Sequence, residues 1–158
     1  MKLAVVGIGS RFRGDDAAGL EAVCIWQDTY GKNADRACID VAQVTAPGVD
    51  LLNILEGKNA AVLVDAVCSG AIPGTLHRLS PEGLSALKPG SPSAHAWGVA
   101  EVLRLGAILD PTSSSRVVTV LGVEASRADF GTSMSDEVRQ ALPALSEAIE
   151  AEVSALLR

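Results

Sequence analysis

Apolar positions along the chain fall into two rhythms. Residues 2–7 (KLAVVG) and 60–67 (AAVLVDAV) are short, nearly unbroken apolar runs rich in valine, the pattern of strands buried on both faces of a parallel sheet. The segments 37–41 (ACIDV) and 115–125 (SRVVTVLGVEA) predict a second strand and a last central strand. Residues 74–80 (GTLHRLS) alternate instead, which predicts a strand with one exposed face. Between these runs the spacing changes to three and four. Ala17, Leu20, Val23 and Cys24 predict a helix from Asp16 to about Tyr30, and VDLLNILEG (49–57) predicts a second that stops at Gly57. A third runs from His95 to about Leu105, with Gly106 near its end. Val138, Leu142, Leu145, Ile149, Val153 and Leu157 mark a long C-terminal helix that Pro143 is expected to kink or divide. Ser133 and Asp136 before it approximate a capping box. The stretch PEGLSALKPGSPSAH reads as a turn-rich connection.

Strands thus alternate with helices through most of the chain. The expected fold is α/β: a three-layer sandwich with a largely parallel central sheet of about five strands flanked by helices, built as a single domain over residues 1–158. In such folds ligands bind in the crevice beyond the carboxyl ends of the strands, so the polar residues at those ends carry the functional information.

Composition narrows the classes. Only five of the 158 residues are aromatic (Trp 2, Tyr 1, Phe 2), so the core must be aliphatic. A net charge of -6 argues against nucleic acid and against anionic membrane surfaces, because phosphate binding depends on Lys and Arg. The first apolar run ends in glycines and charges rather than a cleavage site, and no stretch is long enough to span a bilayer, so a cytoplasmic protein is expected. Cys24, Cys38 and Cys68 are widely spaced, form no C-x-x-C pair, and are read as small buried fillers.

The first loop, GIGSRFRGDDAAG (7–19), resembles a dinucleotide-binding turn, yet Phe12 occupies the third glycine position of G-x-G-x-x-G. Asp40 would pass as the ribose-binding acid, but Asp15 and Asp16 would repel a pyrophosphate at the helix N-terminus. Nucleotide binding is therefore the lesser reading. A carboxylate is favoured at a helix N-terminus. One acid suffices as a cap, and Asp15 is taken for that role, which leaves Asp16 facing the crevice. Asp65 ends the buried run AAVLV, where an idle charge would be costly. His95 stands where a Pro/Gly/Ser-rich loop passes into a helix, a place that favours neutral imidazole, the metal-binding form. Asp16, Asp65 and His95 together offer two carboxylates and an imidazole, a set suited to nickel or zinc with coordination positions left open. Cys68 is a possible soft fourth ligand but is read as a spectator, and His77 as structural or exposed.

The motifs VVGIGSRFRGDDAAG, VLVDAV, PGTLHRL and SAHAWGVAEVL, in that order, resemble the nickel-iron hydrogenase maturation endopeptidases. The resemblance implies an endopeptidase that removes the C-terminal extension of a nickel-loaded [NiFe]-hydrogenase large-subunit precursor, with Asp16, Asp65 and His95 contacting the metal. It further implies that nickel arrives with the precursor, so that no tightly held cofactor is expected in the free enzyme, and that the enzyme acts as a monomer. A non-catalytic nickel-binding chaperone of the same fold is the alternative. Two departures stand out. Ser10 replaces an Asn after the glycine pair, and DVAQVTAPGVDLL lacks an Asp-Gly-Gly turn associated with substrate recognition, which leaves the role of Asp40 open. Arg11 and Arg13 flank the site, either to meet an acidic part of the precursor or as a solvated loop.

Overall fold

The computed structural model describes residues 1–32, 38–45, 48–86, 94–112 and 116–158; the side chains of 85 and 94–97 lie outside the described set. Five strands form one sheet in the order β2-β1-β3-β5-β4. β1 (Leu3–Ile8) pairs in parallel with β2 (Ile39–Val44) and β3 (Ala60–Val67), and β3 pairs in parallel with β5 (Val117–Glu124). β4 (Leu76–Leu79) runs antiparallel on the edge beside β5. Every residue of β1 and β3 is buried, as their unbroken apolar sequences require, whereas β4 alternates between exposed and half-buried positions.

Each face of the sheet carries its own aliphatic core. α1 (Ala18–Tyr30) and α5 (Asp136–Leu156) cover one face, where Leu3, Val5, Val62 and Val64 meet Trp26, Leu145 and Ile149. α2 (Val49–Leu55) and α4 (Ala94–Leu109) cover the other, where Val6, Leu63 and Val67 meet Leu51, Leu55 and Val99. Complete burial of each such Leu, Ile or Val contributes about 1.5–3 kcal/mol. The three-layer α/β architecture expected from the pattern is therefore the one observed.

The differences lie at element ends. β2 extends to Val44, three residues beyond its expected end; the expected start at Ala37 falls outside the described residues. Residues 81–85, read as turn, form a short helix, α3 (Pro81–Ser85). Ser80 caps it by accepting a bond from Gly83 N–H at 3.1 Å, and Pro81 at the first position has no N–H to leave unpaired. α4 runs through Gly106 to Leu109, and α5 continues unbroken past Pro143. The cap of α5 is Ser135 rather than Ser133, and its hydroxyl is directed elsewhere.

β1 leads to β2 on one side and lies against β3 on the other, so the strand order reverses between β1 and β3. That is where crevices form in such sheets. Here the chain after β1 presses unusually close to the strands. A Cβ on Gly19 would sit 2.2 Å from the carbonyl oxygen of Val64 and 2.6 Å from that of Ile8. Gly9, at φ 143, would place one against the Asp16 carbonyl oxygen. These glycines thus serve backbone-to-backbone packing within the protein. Gly19→Ala should cost roughly 3 kcal/mol or more in urea denaturation, because the clash is with two strand carbonyls. Gly57→Ala, with φ +67 but nothing within 4 Å, should cost only about 1–2 kcal/mol.

Candidate functional site

A 3-10 turn (Gly14–Ala17) precedes α1 and holds Asp15 and Asp16, which are 0% and 1% exposed. Successive residues of such a turn point about 120° apart. The two neighbouring acids consequently meet different parts of the protein.

Asp15 does not cap its own helix. Its carboxylate reaches the loop between β5 and α5 and accepts four bonds. Oδ1 takes one from Ser135 N–H at 2.6 Å. Oδ2 takes the others, from Ser135 Oγ–H at 2.9 Å, Ser126 N–H at 2.7 Å and Arg127 N–H at 3.0 Å. Asp15 N–H in turn donates to Arg127 O at 2.9 Å. The expected cap is a rivet between the two ends of the chain, and it occupies the hydroxyl of the α5 cap residue.

Asp16 turns toward the sheet. Its Oδ2 accepts a bond from Ser10 N–H at 3.0 Å, which ties it to the loop after β1. Asp65, on β3 and 2% exposed, stands two residues from both Leu63 and Val67 and so shares their face, the side of the sheet covered by α2 and α4. Its Oδ1 accepts from Ala66 N–H at 2.8 Å, while Oδ2 meets no hydrogen-bond partner among the described residues. Burial pushes the Asp65 carboxyl well above the ordinary range, and the nearby Asp16 carboxylate pushes it further; the Ala66 N–H only partly opposes this. The structure thus brings Asp16 and Asp65 into one electrostatic field at the carboxyl end of the sheet.

The backbone of His95 lies in the first turn of α4; its side chain lies outside the described residues. The other end of α4 lies beside the start of β5, since Gly106, Leu109 and Asp110 share a cavity with Arg116. Sixteen helical residues span about 24 Å, close to the length of an eight-residue strand. Among the described residues no three His, Cys, Asp or Glu side chains gather as a ready metal cluster.

The remaining candidates resolve individually. Asp40 is exposed and ion-paired with Lys58, whose hydrogen bond and charge hold its carboxyl below the ordinary range. Arg11 donates to Glu21 and Gln43, and Arg13 Nε–H to Ala128 O at 3.3 Å. Cys24, Cys38 and Cys68 are free thiols, each half-exposed rather than buried.

One buried acid was overlooked. Glu124 ends β5 at 2% exposure, accepting from Ser69 N–H, Ser69 Oγ–H and Gly70 N–H, and pairing with His77 Nε2 at 3.0 Å. Burial pushes its carboxyl up, but the bonds from Ser69, His77 and Gly70 outweigh this and hold it below the ordinary range. The signal was present: VLGVE ends a buried run in an acid just as VLVD does.

Comparison with known proteins gives a consistent result. Residues 32–152 match the HycI hydrogenase maturation protease family. The chain is 30% identical over 155 residues to the hydrogenase expression/formation protein HupD of Thiocapsa roseopersicina, covering 94% of this chain and 66% of that one. Among solved structures it superposes on the hydrogenase maturating endopeptidase HybD of E. coli with a TM-score of 0.81 at 23% identity, covering 98% and 93% of the two chains. On the [NiFe] hydrogenase maturation protease HybD of Thermococcus kodakarensis the TM-score is 0.73 at 28% identity, covering 96% and 98%.

Two measurements check the electrostatics. Asp15→Ala strands four donors and should destabilise the protein by about 3–5 kcal/mol in urea denaturation. Asp65→Asn should act oppositely in the metal-free protein. A carboxyl whose pKa is raised by folding binds more protons folded than unfolded, so its contribution falls as pH rises from its unfolded value, about 4, toward the raised one. The variant should therefore be more stable than the parent near pH 7, by about 1–3 kcal/mol, and the gap should close below about pH 4.

Proposed function

Because the chain belongs to the hydrogenase maturation protease family and is a peptidase, we propose that it removes the C-terminal extension of a nickel-loaded [NiFe]-hydrogenase large-subunit precursor. The observation that carries this reading is the Asp16–Asp65 pair: two buried acids, with burial and the Asp16 charge raising the Asp65 carboxyl and Asp65 Oδ2 left open among the described residues. Such a pair is unfavourable alone and becomes favourable when a cation arrives.

In this reading His95, carried on the first turn of α4, supplies an imidazole beside the two carboxylates. Oxygen and nitrogen donors suit a divalent transition ion, and three of them leave positions for the ligands that the ion brings. The nickel belongs to the precursor and is already partly held there. The peptidase then binds the loaded precursor far better than the empty one, because only the former relieves the buried repulsion. Metal insertion thereby licenses cleavage. The enzyme works in the cytoplasm as a monomer.

Processing of purified precursor, followed by mass spectrometry of its new C-terminus, tests the proposal. Nickel-loaded precursor should be shortened and nickel-free precursor left intact. Asp16→Asn, Asp65→Asn and His95→Ala should each slow processing about a thousandfold or more, equivalent to about 4 kcal/mol in the barrier, while remaining folded. Equal cleavage of loaded and empty precursor, or undiminished rates in the variants, would overturn it.

A further inference from the structure

β3 loses one of its neighbours just before the site. The register of β1 on β3 ends at Gly7 and Val64. Gly19, at the start of α1, presses on the carbonyls of Val64 and Ile8, the point where the two strands part. Among the described residues, Asp65, Ala66 and Val67 are therefore paired on one side only, with Gly122, Val123 and Glu124 of β5. A strand end held along one edge opens more readily than one held along two.

Glu124 closes that ladder. Ala125 N–H donates to Val67 O at 2.9 Å. Beyond it the Glu124 carboxylate takes hold of the outgoing chain. Oε1 accepts from Ser69 N–H at 2.8 Å and Gly70 N–H at 3.0 Å, and Oε2 from Ser69 Oγ–H at 2.7 Å. His77 Nε2–H, from β4 on the far side of β5, donates to the same Oε2 at 3.0 Å. The Glu124 main chain is engaged as well: its N–H donates to Thr75 O and its carbonyl accepts from Gly74 N–H, each at 2.8 Å. One buried residue thus ties together the exit of β3, the loop after it and β4. The cluster shares a face with Asp65. Asp65 stands two residues from Val67, Glu124 four from Val120 and His77 two from Leu79, and these apolar side chains pack in the core beneath α2 and α4.

We propose that Glu124 is a positioning residue: by clamping the chain that leaves β3, it holds Asp65 in the setting that grips the metal of the loaded precursor. This rests on the function proposed above and adds a residue outside the set of Asp16, Asp65 and His95. Asp65 gains little from its own burial, since its Oδ2 meets no partner among the described residues, so a loosened strand end would carry it toward water. The clamp depends on reach more than on charge. A glutamine at 124 can accept both amides through Oε1, while Ser69 Oγ and His77 Nε2 each turn acceptor toward its amide group. An aspartate keeps the charge but is one methylene short.

The test compares Glu124→Ala, Glu124→Asp, Glu124→Gln and Leu145→Ala, the last a core variant on the opposite face of the sheet. Three readouts are taken under conditions where the proteins are folded: processing of nickel-loaded precursor, calorimetric titration with Ni2+ alone, and amide hydrogen exchange. Glu124→Ala and Glu124→Asp should each lower kcat/KM and weaken Ni2+ binding about 10–100-fold, and should release the amides of residues 66–70 to exchange. Glu124→Gln should stay within about threefold of the parent. Leu145→Ala should lose stability with kcat/KM and Ni2+ affinity unmoved. Should Glu124→Ala fail to fold, Glu124→Asp against Glu124→Gln decides the matter. Unchanged kcat/KM in Glu124→Asp, or a loss that Glu124→Gln or Leu145→Ala shares in full, overturns the positioning role and leaves the peptidase reading standing. A parent that leaves the precursor uncut removes the peptidase reading. The positioning role is then sustained by an Ni2+ affinity about tenfold weaker in Glu124→Asp, and overturned by an equal affinity or by a parent that binds no Ni2+.

Discussion

Two carboxylates buried in each other's field are the constraint around which this structure is organised. Taking each from water costs several kcal/mol, and their mutual repulsion adds to that. One backbone amide each, from Ser10 and Ala66, only partly offsets the burial of Asp16 and Asp65, so the scaffold must hold them in place. It does so with an aliphatic sheet whose central strands are wholly buried and with a backbone approach tight enough to exclude a methyl group at Gly19. Of the glycines that resemble a phosphate-binding turn, Gly7 lies against the backbone of Gly19 and Leu20, and Gly9 against the carbonyl of Asp16. The loop was built to receive strands, and the negative charges at its rim do not conflict with that.

The adjacency of Asp15 and Asp16 has a related explanation. A 3-10 turn sends consecutive side chains to different neighbours. Asp15 collects two backbone amides from residues 126 and 127, and an amide and a hydroxyl from Ser135. Asp16 faces Asp65, whose pKa it raises. One acid is thus saturated with donors and secures the loops, and its neighbour contributes charge to a site that holds too much of it. Identical side chains one residue apart differ in role because their donors differ.

Much of this was legible in the chain. The unbroken valine-rich runs specified β1 and β3, and alternation specified the edge strand β4, because burial on two faces or on one leaves different periods. Asp65 was identifiable as an acid at the end of a buried run, and Asp16 as the acid left over at the helix start once Asp15 was taken for the cap. The partner of Asp15 was not, because it lies 120 residues away and sequence offers no means of pairing an acid with a distant loop. Glu124 was missed although it obeys the rule that found Asp65. Pro143 was expected to kink or divide α5; the helix is not divided, because it is anchored along one face by Val138, Leu142, Leu145 and Ile149, and that packing outweighs one lost backbone bond. Arg11 and Arg13 were readable as charges only; that both are engaged within the protein depends on tertiary geometry.

The Asp15–Ser135 bond has a consequence for biosynthesis. Its two residues are made 120 positions apart, and the second lies at the threshold of the final helix. The acidic turn emerges from the ribosome early, yet its anchorage arrives only when translation is nearly complete. Contacts of such long range form late. A nascent chain interrupted after β4 would carry the Asp15–Asp16 turn unfastened. The arrangement therefore defers assembly of the crevice until almost the whole polypeptide is present.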